Sequence, residues 1–362
     1  MTLTAQMGRV DTQPLAAFTP QLNSSQLRSA VEKAIPPAAC RHLLGGRRLT
    51  GMKTTSSTCV RRLIACVSVT FCVAALSTPV TAVEDDSKEL TLITHNVWYG
   101  FTKKPEPRYR EWRAWMSSQA PDVVCLQELN GYTPEKLAAD AASWGHPHSA
   151  LLKEEGFPTG ITSRLPIEDV RRVREGFHHG LLRCRIAGIW LFVIHFHPSN
   201  YAHRITEAGL LADEIAALPA LEGQLTPKIV LAGDFNGFSP IDKPTYDADP
   251  LLEPFFTRLD AKNPQARNLN NGRLDYGGVE AILAQGFIDI VADHRGDRPF
   301  VGTFPTPLVA DEDHGTDRRL DYIFVSPNLK ETVSRALILR DDTTEMLSDH
   351  IPVMATLRLP NR

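Results

Sequence analysis

The sequence predicts an α+β fold, one or two layers of sheet flanked by helices, and three observations carry that expectation. Apolar runs of strand length alternate with segments of helical period. From Glu84 onward no low-complexity linker, internal repeat or break in composition interrupts them, so one domain of roughly 275 residues is expected. The composition, 43% hydrophobic and 22% charged, supplies a sizeable core and excludes a disordered or fibrous protein.

Residues 1–51, rich in Ser, Thr, Gln, Ala and Arg and without a sustained apolar period, are expected to be a disordered or spurious upstream extension. Met52 then opens a signal-peptide layout. Lys53, Arg61 and Arg62 precede a 14-residue apolar run over 63–76, and small residues end at Ala82. That run is short for a bilayer span, so 52–82 is expected to be removed and 83–362 exported as the domain, to a periplasm or the medium. Of the six cysteines, Cys125 and Cys184 lie in the domain, within apolar strand-like runs, and are expected to be buried free thiols. The first 82 residues hold nine Lys and Arg against two Asp and Glu, leaving 30 against 40 beyond them. So acidic a domain disfavours wholesale electrostatic capture of nucleic acid, though a local basic patch or a metal can still receive a phosphate.

Along the domain, strands are expected over 90–94, 122–126, 189–194, 228–232, 322–325 and 351–357. A helix over 107–118 carries Tyr109, Trp112, Trp115 and Met116 at spacings of three and four, a stripe suited to the core. Thr133 and Pro134 fit the cap and first turn of a helix reaching Trp144. Two more helices are expected over 205–218 and 278–285, the latter closed by Gly286.

Four of the strands run into polar residues at their C-terminal ends: Asn96, Glu128, His195, and the pair Asp234 and Asn236. Two others begin with them, Asp321 in one case and Asp349-His350 in the other. In a mixed sheet the C-terminal ends of some strands share an edge with the N-terminal ends of their antiparallel neighbours, so these residues are expected at one rim. Any one of them alone reads as a cap or turn residue; the set does not. Three carboxylates (Glu128, Asp234, Asp349) within about 5 Å would repel by about 3 kcal/mol per pair at an effective dielectric near 20. A hard divalent cation with oxygen ligands offsets that repulsion, Mg²⁺ above all, with Mn²⁺ as the alternative. His195 and His350 supply proton transfer or donation to an anionic transition state, with a carboxylate such as Asp321 to orient one of them. The pattern is that of metal-assisted phosphoester hydrolysis.

The motifs Thr94-His-Asn96-Val, Leu126-Gln-Glu128, Gly233-Asp-Phe-Asn236, Arg319-Leu-Asp321-Tyr-Ile-Phe and Ser348-Asp349-His350-Ile-Pro-Val resemble, in that order and over roughly residues 88–359, the endonuclease/exonuclease/phosphatase superfamily. The resemblance implies a four-layer α/β/β/α sandwich, two mixed sheets face to face with helices outside and the site at one rim. It implies Glu128 as principal metal ligand with Asn96 and Asp349 close by, Asp234 as the carboxylate that orients or deprotonates water, and Asn236 as its partner. His350 is implied as the histidine on the scissile phosphate, Asp321 as its orienting carboxylate, and His195 as the mid-chain histidine that stabilises the phosphate or protonates the leaving group. His197 is the rival, and His195 is preferred because it directly follows the apolar strand. Ile194 stands where the common pattern has threonine, and the carboxylate or tyrosine usually beside this histidine is not found near 156–163.

His178-His179 reads either as a rim contact for substrate phosphate or as a solvated turn. His146 and His148 are expected in a loop without a metal role, and the acidic stretch 311–314 as a solvated loop. There is no Walker loop, dinucleotide fingerprint, zinc-protease motif, Cys-x-x-Cys or Gly-x-Ser-x-Gly elbow. Ser348-Asp349-His350 is not a serine triad, because consecutive residues cannot converge on one another. The expected function is an exported metal-dependent phosphoester hydrolase, a diesterase in preference to a monoesterase, working as a monomer on a phosphoester substrate with no protein partner indicated. A secreted nuclease would use a basic rim drawn from Arg108, Arg110, Arg164, Arg171, Arg172, Arg174, Arg183 and Arg185. A phospholipid esterase of the sphingomyelinase kind would use exposed Trp98, Tyr99 and Phe101. A binding protein on a spent scaffold would have no need of the full polar set.

Overall fold

The computed structural model describes residues 88–221, 223, 226–309 and 314–359. The expected upstream extension, signal peptide and cleavage point, and residues 311–313 of the acidic stretch, lie outside the described residues. In chain order the strands are β1 (Lys88–Asn96), β2 (Val123–Gln127), β3 (His148–Leu151), β4 (Gly160–Ser163), β5 (Glu168–Val173), β6 (Leu181–Ile186) and β7 (Ile189–His195). They continue with β8 (Ile229–Asp234), β9 (Leu269–Asn270), β10 (Arg273–Leu274), β11 (Ile288–Asp289), β12 (Asp321–Val325), β13 (Val333–Ile338) and β14 (Val353–Leu359). One six-stranded sheet has the order β13-β14-β1-β2-β4-β3 and the other β11-β12-β8-β7-β6-β5. The pairs β1–β2 and β7–β8 are parallel and their other neighbours antiparallel, so both sheets are mixed.

The sheets pack face to face. Leu92, Val123, Cys125 and Val353 of the first share a core with Cys184, Leu191, Val230 and Ile323 of the second. Alternate residues point outward, yet they too are apolar. Ile93, Val124 and Leu126 bury Trp112, Trp115 and Met116 of the helix Arg108–Gln119 and Leu137 of the helix Pro134–Ser143. On the far side Phe192, Ile194, Leu231 and Phe324 bury Ala208 and Leu211 of the helix Tyr201–Ala216, and Val279 and Ile282 of the helix Gly277–Ala284. Central strands covered on both faces have no polar side, which is why they read in the sequence as continuous apolar runs. The result is the expected α/β/β/α sandwich. Cys125 and Cys184 are buried and free.

All six expected strands form, and the tryptophan stripe is core. Three details differ. The strand expected from Ile351 begins at Val353, because Pro352 has no N–H to give and the Ile351 N–H bonds Thr303 O at 2.7 Å instead. The helix expected from Ile205 begins at Tyr201, capped by Asn200, whose Oδ1 accepts the His203 N–H at 3.2 Å. Strands β3 to β6 and β13 are not apparent in the sequence. The first two are four residues long, and β5, Glu-Asp-Val-Arg-Arg-Val, is a largely exposed edge.

Candidate active site

The second sheet sets three side chains in a row. Asp234, the last residue of β8, pairs in register with His195, the last residue of parallel β7, and with Asp321, the first residue of antiparallel β12. Registered neighbours project to the same face, so the row follows from backbone pairing alone. Gly233 makes it possible. Its φ is +148°, and a Cβ there would stand 2.0 Å from Ile194 O on the neighbouring strand. Past the strand end Asn236 takes φ +48°, returning its N–H to Asp234 Oδ1 at 2.8 Å and its Nδ2 to Phe196 O at 3.0 Å.

The first sheet contributes from the opposite layer. Asn96 ends β1, and Glu128 follows β2 with φ +58°, a strained left-handed conformation for a non-glycine residue. The Asn96 amide spans the two sheets, donating from Nδ2 to Glu128 Oε1 at 3.2 Å and to Asp234 Oδ2 at 3.1 Å. Its Oδ1 accepts the Trp98 N–H at 3.1 Å, which fixes the orientation of the amide. The Tyr99 N–H donates to Glu128 Oε2 at 2.8 Å. Ser348 Oγ donates to Asn96 O at 2.7 Å, anchoring the turn that presents Asp349 and His350. That turn is further held by Thr306, whose Oγ1 donates to Ser348 O at 2.6 Å.

His350 Nδ1 lies 2.7 Å from Asp321 Oδ2, and its Nε2 lies 3.8 Å from Asp234 Oδ2. Burial pulls the pKa of this imidazole down, but the carboxylates of Asp321, Asp234 and Asp349 outweigh burial and raise it to about 10. His350 is therefore a held imidazolium at neutral pH. Burial raises Asp234 to about 7, Asp321 adding to the rise while His350 and the Asn236 N–H oppose it. Burial likewise raises Glu128, with the Asp349 charge adding to it, and raises Asp349. His195 differs from His350. Burial, then His179 and His350, hold its pKa well below the ordinary value, so its 3.8 Å approach to Asp234 Oδ2 joins a neutral ring to a carboxylate and is not an ion pair. Its Nδ1 is buried with no hydrogen-bond partner among the described residues. In the place where a carboxylate or tyrosine was sought near 156–163, the ring of His179 stacks on His195, centroids 3.9 Å apart and planes 18° apart.

All the residues singled out from the strand ends meet at this rim. Glu128, His195, Asp234, Asn236, Asp349 and His350 line one cavity of about 510 Å³, with Asn96 bonded to its floor and Asp321 behind His350. His197 does not join them. Its Nδ1 accepts the Ser199 N–H at 3.1 Å and its ring packs on His178 and His203. His178 and His179 line the cavity. His146 is buried and structural, its ring nitrogens 2.8 Å from Thr162 Oγ1 and Pro121 O. The arginines expected to form a basic rim are spent elsewhere. Arg108 donates to the carbonyls of Val97 and Leu347, Arg171 and Arg183 pair with Glu214, Arg174 with Glu155 and Arg185 with Asp169, and no arginine of that set lines the cavity. Trp98 and Tyr99 do line it, whereas Phe101 is buried against Trp112. Sequence reasoning missed Arg204 and Arg318, and a wall that includes Phe238, Phe255 and Phe304.

Residues 93–350 match the family model described as the Endonuclease/Exonuclease/phosphatase family. The chain belongs to that family. No curated protein matches it. Among solved structures, an AP endonuclease from Archaeoglobus fulgidus is similar over 75% of this chain and 100% of its own, at 21% identity and a TM-score of 0.53. A 3'-5' exonuclease from Neisseria meningitidis is similar over the same shares at 19% identity and a TM-score of 0.53. A 3' phosphatase from Neisseria, bound to product DNA hairpin, is similar over the same shares at 18% and 0.53. At these identities the likeness establishes the fold. Family members are phosphoester hydrolases and typically depend on a divalent metal.

Two residue sets bear on where a metal would fit. Asp234, Asp321 and His350 bring ligand atoms within 4.8 Å of one another. In that trio His350 is bonded to Asp321 and held as a cation, which cannot ligate, although Asp321 Oδ1 is left without a hydrogen-bond partner among the described residues. Glu128 and Asp349 are the better pair. Asp349 is buried and Glu128 half-buried, both have raised pKa, and among the described residues neither forms an ion pair with a Lys or Arg. Their carboxylates offer the oxygen donors that a hard divalent cation takes, while the Asn96 amide, expected as a neighbouring ligand, turns its Nδ2 to Glu128 and Asp234 and its Oδ1 to the Trp98 N–H and so holds the carboxylates in place.

Proposed function

We propose that the protein is an exported, Mg²⁺-dependent phosphodiesterase acting on organic phosphodiesters. The observation that carries this reading is the pairing of a held imidazolium, His350 on Asp321, with an adjacent carboxylate of near-neutral pKa, Asp234, in one cavity. Acid and base thus coexist at the same pH. Asp234 is the base that orients and deprotonates the attacking water, and Asn236 fixes its carboxylate by donating to Oδ1. His350 donates from Nε2 to a phosphoryl oxygen as negative charge grows there. His195, neutral, serves as a hydrogen-bond donor on the phosphate and not as a charged group. Glu128 and Asp349 would hold the metal, with Asn96 positioning Glu128 by donating to Oε1, and the metal when bound would polarise a phosphoryl oxygen.

The diester is favoured by charge. The four carboxylates of Glu128, Asp234, Asp321 and Asp349 outnumber the three buried cations at the cavity, His350, Arg204 and Arg318, so a dianionic monoester would be repelled more strongly than a monoanionic diester. The cavity, with Trp98, Tyr99 and Phe157 lining it as well as Phe238, Phe255 and Phe304, supports an organic substituent of small-molecule size in preference to a duplex gripped by a basic rim. The signal-peptide layout over 52–82 supports export. The test is hydrolysis by the purified protein of bis(4-nitrophenyl) phosphate, sphingomyelin, plasmid DNA, RNA and sugar phosphates, with Mg²⁺ and in excess chelator. Turnover of the aryl diester that needs the metal is expected. Activity confined to monoesters, or undiminished in chelator, refutes the assignment.

A further inference from the structure

Arg318 is a buried cation, 5% exposed, that forms no ion pair among the described residues. Its Nη1 donates to two backbone carbonyls, His314 O at 2.7 Å and Thr316 O at 2.8 Å. Its Nε is buried without a partner, and Nη2 makes no hydrogen bond within the described residues. The guanidinium instead sits among aromatic faces, 4.6 Å from the ring centroid of Phe304, 5.3 Å from Phe255 and 5.4 Å from Phe256. Burial lowers its pKa to about 10, and Tyr246 with the carboxylates of Asp317, Asp234 and Asp249 offsets that cost only in part. Arginine is almost never fully buried unless paired, because desolvating the charge is expensive. Here a side chain with no ion pair among the described residues lines the same cavity as Asp234, Asp349 and His350.

Position separates Arg318 from the reacting phosphate. Phe304 touches both groups, its ring 4.8 Å from the His350 ring and 4.6 Å from the guanidinium carbon, so the cation stands across one aromatic side chain from the catalytic imidazolium. A second buried arginine with no ion pair among the described residues, Arg204, lines the cavity too, and its Nη1 bonds two loop carbonyls, His197 O and Pro198 O. Arg318 holds two loop carbonyls in the same way, and differs in that its Nε is buried without a partner and its guanidinium lies among three phenyl rings. A planar, delocalised guanidinium flanked by phenyl rings recognises an oxyanion on a flat, apolar carrier.

We propose that Arg318 receives a second anionic group of the substrate, a carboxylate or further phosphoryl group on the organic part of the ester, so that the preferred substrates are anionically substituted phosphoesters. This rests on the phosphoesterase reading of the site. It selects among substrates and adds nothing to the chemistry at phosphorus.

The test separates the two by measuring binding without turnover. Phenylphosphonate and 4-carboxyphenylphosphonate are titrated calorimetrically into the protein in Mg²⁺, and 1,4-phenylenebisphosphonate ranks a phosphoryl group against the carboxylate. Wild-type protein is expected to bind the carboxylated ligand about tenfold to a hundredfold more tightly than the plain one. Arg318→Met should bring that ratio close to one, and Arg318→Lys, which keeps the charge and loses the fork, should leave part of it. Should Arg318→Met fail to melt cooperatively, the lysine variant decides: a reduced ratio supports the proposal and an unchanged ratio overturns it. Equal affinities in the wild type, a ratio that survives Arg318→Met, or an equal loss of both ligands, which would put Arg318 on the reacting phosphate, each overturn it. Failure to hydrolyse any phosphoester of the panel above would sink the phosphoesterase reading while leaving this binding result standing.

Discussion

Replacing Asp321 by Asn removes one negative charge and little shape, and it should change how the rate depends on pH more than any other conservative substitution at the rim. Asp321 Oδ2 and His350 Nδ1 are 2.7 Å apart, and both residues are buried. Two unit charges at that separation attract by about 6 kcal/mol at an effective dielectric near 20, the equivalent of roughly four pK units at 1.36 kcal/mol per unit. The scale is consistent with His350 standing at about 10 in place of 6.5 even though burial works against its charge. In Asp321→Asn the remaining carboxylates of Asp234 and Asp349 still favour the imidazolium, burial still opposes it, and its pKa should fall by about three units. A group with a raised folded-state pKa is charged below that value and loses its proton above it. Wild-type kcat/KM for bis(4-nitrophenyl) phosphate in saturating Mg²⁺ is therefore expected to rise as Asp234 deprotonates near 7, hold a plateau, and fall as His350 deprotonates near 10. In the variant the alkaline limb moves down by about three units, and the acid limb moves down with it because Asp234 loses the Asp321 charge that raises it, so the rate already falls above about 7 and at pH 8.5 is reduced about a hundredfold to a thousandfold, as for loss of one preorganised donor. His350→Ala should be lower still, since it removes the ring itself. An alkaline limb that stays near 10 in Asp321→Asn, or more than about a tenth of the wild-type rate in His350→Ala, would show that the imidazolium is not the acid and that the pair serves only the fold.

Three further outcomes are expected. Glu128→Gln removes a charge from the set that suits a cation, so turnover should fall by several orders of magnitude while the melting temperature measured in chelator stays the same or rises, because a buried repulsion is relieved; a lower melting temperature in chelator would mark Glu128 as structural. Gly233→Ala puts a Cβ 2.0 Å from Ile194 O at a φ of +148°, and it should destabilise the protein severely by breaking the β7–β8 pairing, read as loss of the cooperative melt; a stable, active variant would disprove the need for that close approach. Exported protein should begin within a few residues of Val83 on N-terminal sequencing, and finding residues 1–51 intact on it would end the signal-peptide assignment.

The sequence by itself determined the central strands and the residues at their ends. Buried central strands are apolar on both faces, so Ile189–His195 and Ile229–Asp234 stand out as uninterrupted runs, and a polar residue at the end of such a run marks where the strand emerges at an edge. Asn96, Glu128, His195, Asp234, Asp321 and His350 were legible for that reason. Local pattern records burial but not pairing, and tertiary structure decided the rest. That His195 and not His197 joins the site follows from β7 pairing in parallel with β8, which sets His195 beside Asp234. Arg171, Arg174, Arg183 and Arg185, on or just beyond β5 and β6, look in the sequence like a basic patch, and only the fold shows them paired with Glu214, Glu155 and Asp169. Arg318 stands beside Arg319 in the chain, one facing a cavity and the other locked between Asp242 and Asp289, and nothing in their spacing separates them. Charges find partners through contacts tens of residues away, so which cation is spent and which is left for a ligand is settled only when the sheets close on one another.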